Sequence, residues 1–158
     1  FFADNDERAV FFSRGVIETV KKLGWPPDLV HCHGWLSSLV PIYLKKGFKD
    51  NPLFTDAKII LSLYNDGFDE KLSDTFIKKI KLEGITNKDL ALYQNPTYIN
   101  LMKAAIDFSD ALILAEDTID GELREYYEKS SKPKLKHGSA ENYIEEYNQF
   151  YDQLIAAK

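Results

Sequence analysis

The residues with the clearest chemical potential sit in one short stretch, Pro26-Pro27-Asp28-Leu29-Val30-His31-Cys32-His33-Gly34-Trp35. In an extended segment the side chains of His31 and His33 share one face and that of Cys32 points to the other. Two histidines at this spacing could hold zinc. His137 is the only other histidine, however, and no third and fourth ligand of good type stands nearby, so a metal is not expected. Apolar surroundings raise a thiol pKa, which argues against Cys32 as a nucleophile. His31 reads as a hydrogen-bonded core histidine at a strand end. For His33 the residues alone favour core packing at the strand end over ligand contact. The eight glycines are scattered and none forms a Gly-x-Gly pair, so no Gly-rich phosphate loop is present.

The surrounding pattern supplies the elements that must position these side chains. Pro26 and Pro27 end a helix and leave the chain extended. Asp28 to His33 reads as a short strand, Gly34 as a sharp turn, and Leu36 to Lys46 as a helix with Gly47 just past its end. A strand turning directly into a helix is half of a βαβ unit, and ligands in open α/β sheets bind at the carboxyl ends of such strands. Before it, Asp4 and Glu7 have capping-box spacing for a helix ending at Gly24, with Phe12, Val16, Val20 and Leu23 as its expected buried stripe. After it, Lys58 to Tyr64 and Asp110 to Ala115 read as parallel strands covered on both faces. Asp66 to Glu70 reads as a solvated loop. Helices are expected over 73–82, 97–108 (capped by Thr97) and 118–129, with one or two turns over 86–92 and an edge strand over 133–136. Ser139 is expected to cap a last helix with a wide aromatic face built from Tyr143, Tyr147, Phe150, Tyr151 and Leu154. Alternating strands and helices imply an α/β fold with a Rossmann-like, doubly wound parallel sheet. The expected division is one domain over 1–138 and a C-terminal helix over 139–158 packed on it.

A chain of 158 residues can bury a core of its own. Its net charge of -5 argues against nucleic acid, which wants a basic face. No apolar run approaches the roughly 20 residues that span a bilayer, so no membrane partner is expected. No signal peptide is visible, and the single cysteine suits a reducing cytoplasm. The chain opens on Phe1 rather than methionine and reads as a fragment or a trimmed form.

Phe2-Ala3-Asp4-Asn5-Asp6-Glu7-Arg8, Phe11-Phe12-Ser13-Arg14, Pro27 to Trp35, Leu39-Val40-Pro41 and Tyr43-Leu44-Lys45, taken in order, resemble bacterial glycogen and starch synthases. The resemblance extends more weakly through Ile59 to Asn65 and Leu101 to Asp110. It implies the acceptor-side half of a GT-B fold, two Rossmann-like halves flanking a cleft. It also implies retaining transfer of glucose from ADP-glucose to the non-reducing end of an α-1,4-glucan, with no cofactor. By the same resemblance His33 lies against the transferred sugar and Asp4 heads the acidic Asp-Asn segment, the two candidate catalytic residues. Asn5, Trp35, Tyr64 and Asn65 would line the cleft and bind substrate. A neutral imidazole could hydrogen-bond a sugar hydroxyl and support a positively charged transition state, and its backbone carbonyl could lie toward the anomeric carbon.

The chain departs from the family pattern at three places. Gly34 stands where an acidic residue is usual, Leu36 where a histidine is usual, and Tyr64-Asn65 where a histidine-asparagine pair is usual. The Lys-x-Gly-Gly loop and the nucleotide-binding half are not within the sequence. The last helix resembles the GT-B helix that crosses back to the first half. Two functions follow as expectations. One is a synthase domain whose nucleotide-binding half comes from a longer chain or a separate partner. The other is a catalytically inactive truncated homologue that binds α-glucan or malto-oligosaccharide, or regulates another enzyme.

Overall fold

The computed structural model describes residues 1–136, 138 and 141–157. In chain order the elements are α1 (Asn5–Leu23), β1 (Leu29–His33), α2 (Val40–Ile42), β2 (Lys58–Leu63), α3 (Phe76–Ile80), α4 (Tyr98–Phe108), β3 (Ala111–Leu114), α5 (Gly121–Lys129), β4 (Lys134–Leu135) and α6 (Tyr143–Ala156). The four strands form one parallel sheet in the order β1-β2-β3-β4. Its register sets His31 opposite Ile60 and His33 opposite Ser62. No helix among the described residues is long and apolar enough to cross a membrane.

β2 and β3 are apolar almost throughout because helices cover both of their faces. On one face Cys32, Ile59, Leu61, Leu63, Leu112 and Leu114 share a core with Leu101, Met102 and Ala105 of α4 and with Leu123 and Tyr127 of α5. On the other, Ile60, Ala111 and Ile113 meet Phe150 and Leu154 of α6, with Tyr147 and Tyr151 packed beside them. The expected α/β, Rossmann-like architecture is therefore present, and α6 lies against the face of β1 that carries both histidines.

α1 corrects two expectations. Asp4 precedes the helix but makes no side-chain cap. Its carboxylate accepts instead from Arg8 Nε at 2.8 Å, while Glu7 receives Lys79 Nζ at 3.0 Å, so ion pairs replace the capping box. The buried face is Asn5, Asp6, Ala9, Ser13 and Ile17, whereas Phe12, Val16 and Leu23 are exposed. Small residues four apart let the helix lie close against the domain. Asp6 tolerates burial because Lys79 Nζ reaches it at 2.6 Å. Gly24 ends the helix at φ 61°, as expected of the residue after Leu23.

The expected helix over 36–46 is a broken one. A 3-10 turn over Trp35–Ser37 leads into α2, and a π turn over Tyr43–Gly47 follows. That turn is closed by Phe48 N–H on the Tyr43 carbonyl at 2.8 Å. α3 is shorter than expected but buries Phe76 and Ile80. Only a 3-10 turn over Leu92–Gln94 follows the Thr86–Asp89 side-chain turn. Thr97 caps α4 as expected, its hydroxyl accepting from Asn100 N–H. α5 starts not at Thr118 but after Asp120, whose carboxylate accepts from the amides of Glu122 and Leu123. In α6, Phe150 and Leu154 are buried, but Tyr143 and Ile144 face solvent. The expected Ser139 cap, like His137, lies outside the described residues.

Candidate functional site

β1 ends in the candidate site because Gly34 turns the chain sharply there, at φ 65° and ψ -173°. Asp66 holds the turn. Its carboxylate accepts from Trp35 N–H at 2.9 Å and from the Tyr98 hydroxyl at 3.2 Å. The same hydroxyl lies 2.9 Å from the Tyr64 carbonyl. A Cβ at position 34 would collide with the Asp66 carboxylate, so the space where the family usually has an acidic side chain is taken by a carboxylate from the next strand's loop. Asp66 is thus an anchor and not part of a merely solvated loop.

His31 is fixed at both ring nitrogens. Nδ1 lies 2.6 Å from the Tyr151 hydroxyl and Nε2 2.7 Å from Ser62 Oγ. Burial, with a smaller contribution from His33, pushes its pKa down from 6.5 to about 4, so the ring is neutral near pH 7. His33 stacks on it, with ring centroids 3.9 Å apart and planes 33° from parallel. His33 Nδ1 pairs with the Tyr64 hydroxyl at 2.9 Å, and burial lowers its pKa as well. Among the described residues Nε2 of His33 has no hydrogen-bond partner, and the residue is exposed. Its backbone carbonyl accepts from Ser37 Oγ at 3.0 Å. Burial raises the Tyr64 pKa, keeping the phenol protonated.

The other candidate residues fall into separate surroundings. Asn5 and Trp35 line one open groove of about 520 Å³ with Arg8, Asp66 and Phe68. Asn65 lines a polar cavity of about 590 Å³ with Asn95, Asn100, Asp120 and Glu122. Asp4 lies at the surface, where the hydrogen bond from Arg8 holds its carboxyl below the ordinary range. No hydrogen bond or ring contact joins Asp4 to His33 among the described residues.

Sequence reasoning missed Ser62, Tyr151 and Asp66 as members of this constellation. Ser62 carried a signal, being the one polar residue inside the apolar run of β2 and fully buried. Tyr151 carried none, since its partner lies 120 residues away in the chain. Cys32 is buried, and its thiol pKa is pushed up to about 12, so it is chemically silent. Among the described residues no group of three or more His, Cys, Asp or Glu side chains is arranged to hold a metal ion. What the arrangement offers is a neutral imidazole of fixed orientation at a strand end, with Trp35, near it in the chain, and Asn65, next to Tyr64, lining a groove and a cavity that do not include the ring.

Such a molecule is a Rossmann-like α/β domain with its candidate ligand site at the carboxyl edge of the sheet. Residues 1–137 match the family model described as the starch synthase catalytic domain, and the chain belongs to that family. The chain is 33% identical over 108 residues to the glycogen synthase of Chlorobium limicola, covering 68% of this chain and 22% of that protein. It is 33% identical over 129 residues to the glycogen synthase of Fervidobacterium nodosum, covering 80% and 26%. It is also 29% identical over 127 residues to that of Clostridium perfringens, covering 78% and 26%. The chain thus spans no more than 26% of the length of these relatives. No solved structure matches it.

Proposed function

We propose that the chain is the acceptor-side domain of a glycogen-synthase-type glucosyltransferase. The reaction is transfer of glucose from ADP-glucose to the non-reducing end of an α-1,4-glucan. The nucleotide-binding half comes from a longer chain or a separate partner. The carrying observation is His33, a neutral ring held by Tyr64 and by stacking on His31, with Nε2 free at the end of β1. A neutral donor or acceptor there can bind a sugar hydroxyl and stabilise a developing oxocarbenium ion without adding repulsive charge. Asn5 and Trp35 in one groove and Asn65 in the neighbouring cavity supply further hydrogen bonds and an aromatic surface for the glucan. Asp4 enters this reading by resemblance alone.

Glucose transfer from ADP-glucose to a malto-oligosaccharide, measured with the longest natural form and its His33→Ala variant, tests the proposal. Transfer that collapses in the variant supports it. Transfer that survives unchanged removes His33 from the site. A second reading draws on Gly34, Leu36 and Tyr64, which depart from the family pattern. In that reading the domain binds glucan without catalysing transfer, and the same assay returns binding with no product.

A further inference from the structure

Helix α6 lies beyond residues 1–137, the part that matches the family, yet it covers the sheet face on which His31 and His33 sit. It brings two phenol rings to that face. Tyr147 packs 5.9 Å from the His31 ring, and Tyr151 meets His31 edge-on at 5.6 Å with its hydroxyl on Nδ1. A histidine bonded at one nitrogen can still flip or tilt. His31 is bonded at both, to Tyr151 and to Ser62, so its plane is fixed from opposite ends. A neutral imidazole has one N–H and one lone pair, so one of these hydroxyls donates and the other accepts. The phenol is the more acidic of the two and the better donor. It therefore donates to Nδ1, and Nε2–H of His31 donates to Ser62 Oγ.

The consequence reaches His33 by contact. At a centroid separation of 3.9 Å the His33 ring rests on a plate that cannot turn. Its second constraint, the Tyr64 hydroxyl on Nδ1, fixes rotation within that plane. Together the two constraints aim Nε2. We propose that Tyr151 is a positioning residue of the His33 site. Its hydroxyl, delivered by α6, locks His31, and His31 sets the plane in which His33 meets a sugar hydroxyl. This rests on His33 being the sugar-contacting residue. It adds that the site is completed by a helix outside the family-matching segment.

The experiment records the imidazole ring nitrogens by NMR and the affinity for a malto-oligosaccharide in the wild-type chain, Tyr151→Phe, Ser62→Ala and Tyr143→Phe. Tyr151→Phe keeps the ring that packs on the sheet and removes only the hydroxyl. Ser62→Ala opens the other end of the lock from the sheet; its hydroxyl also meets the phenols of Tyr64 and Tyr147, so Tyr151→Phe carries the decision. Tyr143→Phe, on the exposed first turn of the same helix, is the control. In wild type His31 is expected as the Nε2–H tautomer. In Tyr151→Phe and Ser62→Ala the ring signals of His33 as well as His31 shift, and the His33 titration midpoint moves. Affinity in both falls about fivefold or more, the scale of one hydrogen bond. Tyr143→Phe matches wild type. His33 signals that stay in place in both variants overturn the coupling. His33 signals that move while affinity holds overturn the positioning role alone. A wild-type chain that ignores the oligosaccharide overturns the reading of His33 on which the role depends.

Discussion

Protonating His31 breaks an arrangement in which both ring nitrogens are already occupied by hydroxyls. The folded chain holds this ring's pKa at about 4 against an ordinary 6.5. Because the folded value is depressed, the unfolded chain binds the extra proton first. The stabilisation is complete above pH 6.5 and is lost as pH falls from 6.5 toward 4. The full difference amounts to about 3 kcal/mol. The ring is only partly buried, and solvent screening reduces the expected loss between pH 7 and pH 5 to about 1 kcal/mol. In a chain of this size that is about 2–4 °C in Tm. His31→Gln removes the titrating ring. Thermal denaturation of both proteins at pH 7, 6 and 5 should show the variant less stable at pH 7 but flatter toward pH 5. The contributions of the carboxylates are common to both curves and cancel in the difference, and His33, which stacks on this ring, is replaced by glutamine in both proteins. Parallel curves would refute the account of His31 as a ring kept neutral by burial.

Three further outcomes follow from the packing. Gly34→Ala, at φ 65° and against the Asp66 carboxylate, should cost about 2 kcal/mol or more in urea denaturation. Lys79→Met leaves the buried Asp6 carboxylate without its cation, and the urea midpoint should fall, a loss that Asp6→Asn in the same chain should partly restore. Phe150→Ala opens the layer between α6 and the sheet, and a loss of about 3 kcal/mol is expected by thermal melting.

Where the sequence pattern and the packing agreed, the cause was continuity. β2 and β3 are apolar on both faces, and no other element accommodates such short runs so well. α4 was legible because Thr97 caps it and its apolar residues face one way. α1 misled because Phe12, Val16 and Leu23 lie on the exposed side, while Ile17 faces the core with alanine and serine. Hydrophobic spacing identifies a stripe but not which surface covers it. The strand-end position of His33 was legible from the two prolines and Gly34. Its supports were not. Tyr151 and Ser62 reach His31 through tertiary contact alone, and Asp66 looked like any acidic loop residue until Gly34 was seen to make room for it.

The central claim is that His33 contacts the glucan. The most direct measurement is calorimetric titration of a malto-oligosaccharide into the wild-type chain and into His33→Ala. The account predicts measurable binding by wild type that weakens about tenfold in the variant, with thermal denaturation run beside it because the variant also loses the stacking on His31 and the Tyr64 hydrogen bond. Equal affinity in the two proteins would contradict it.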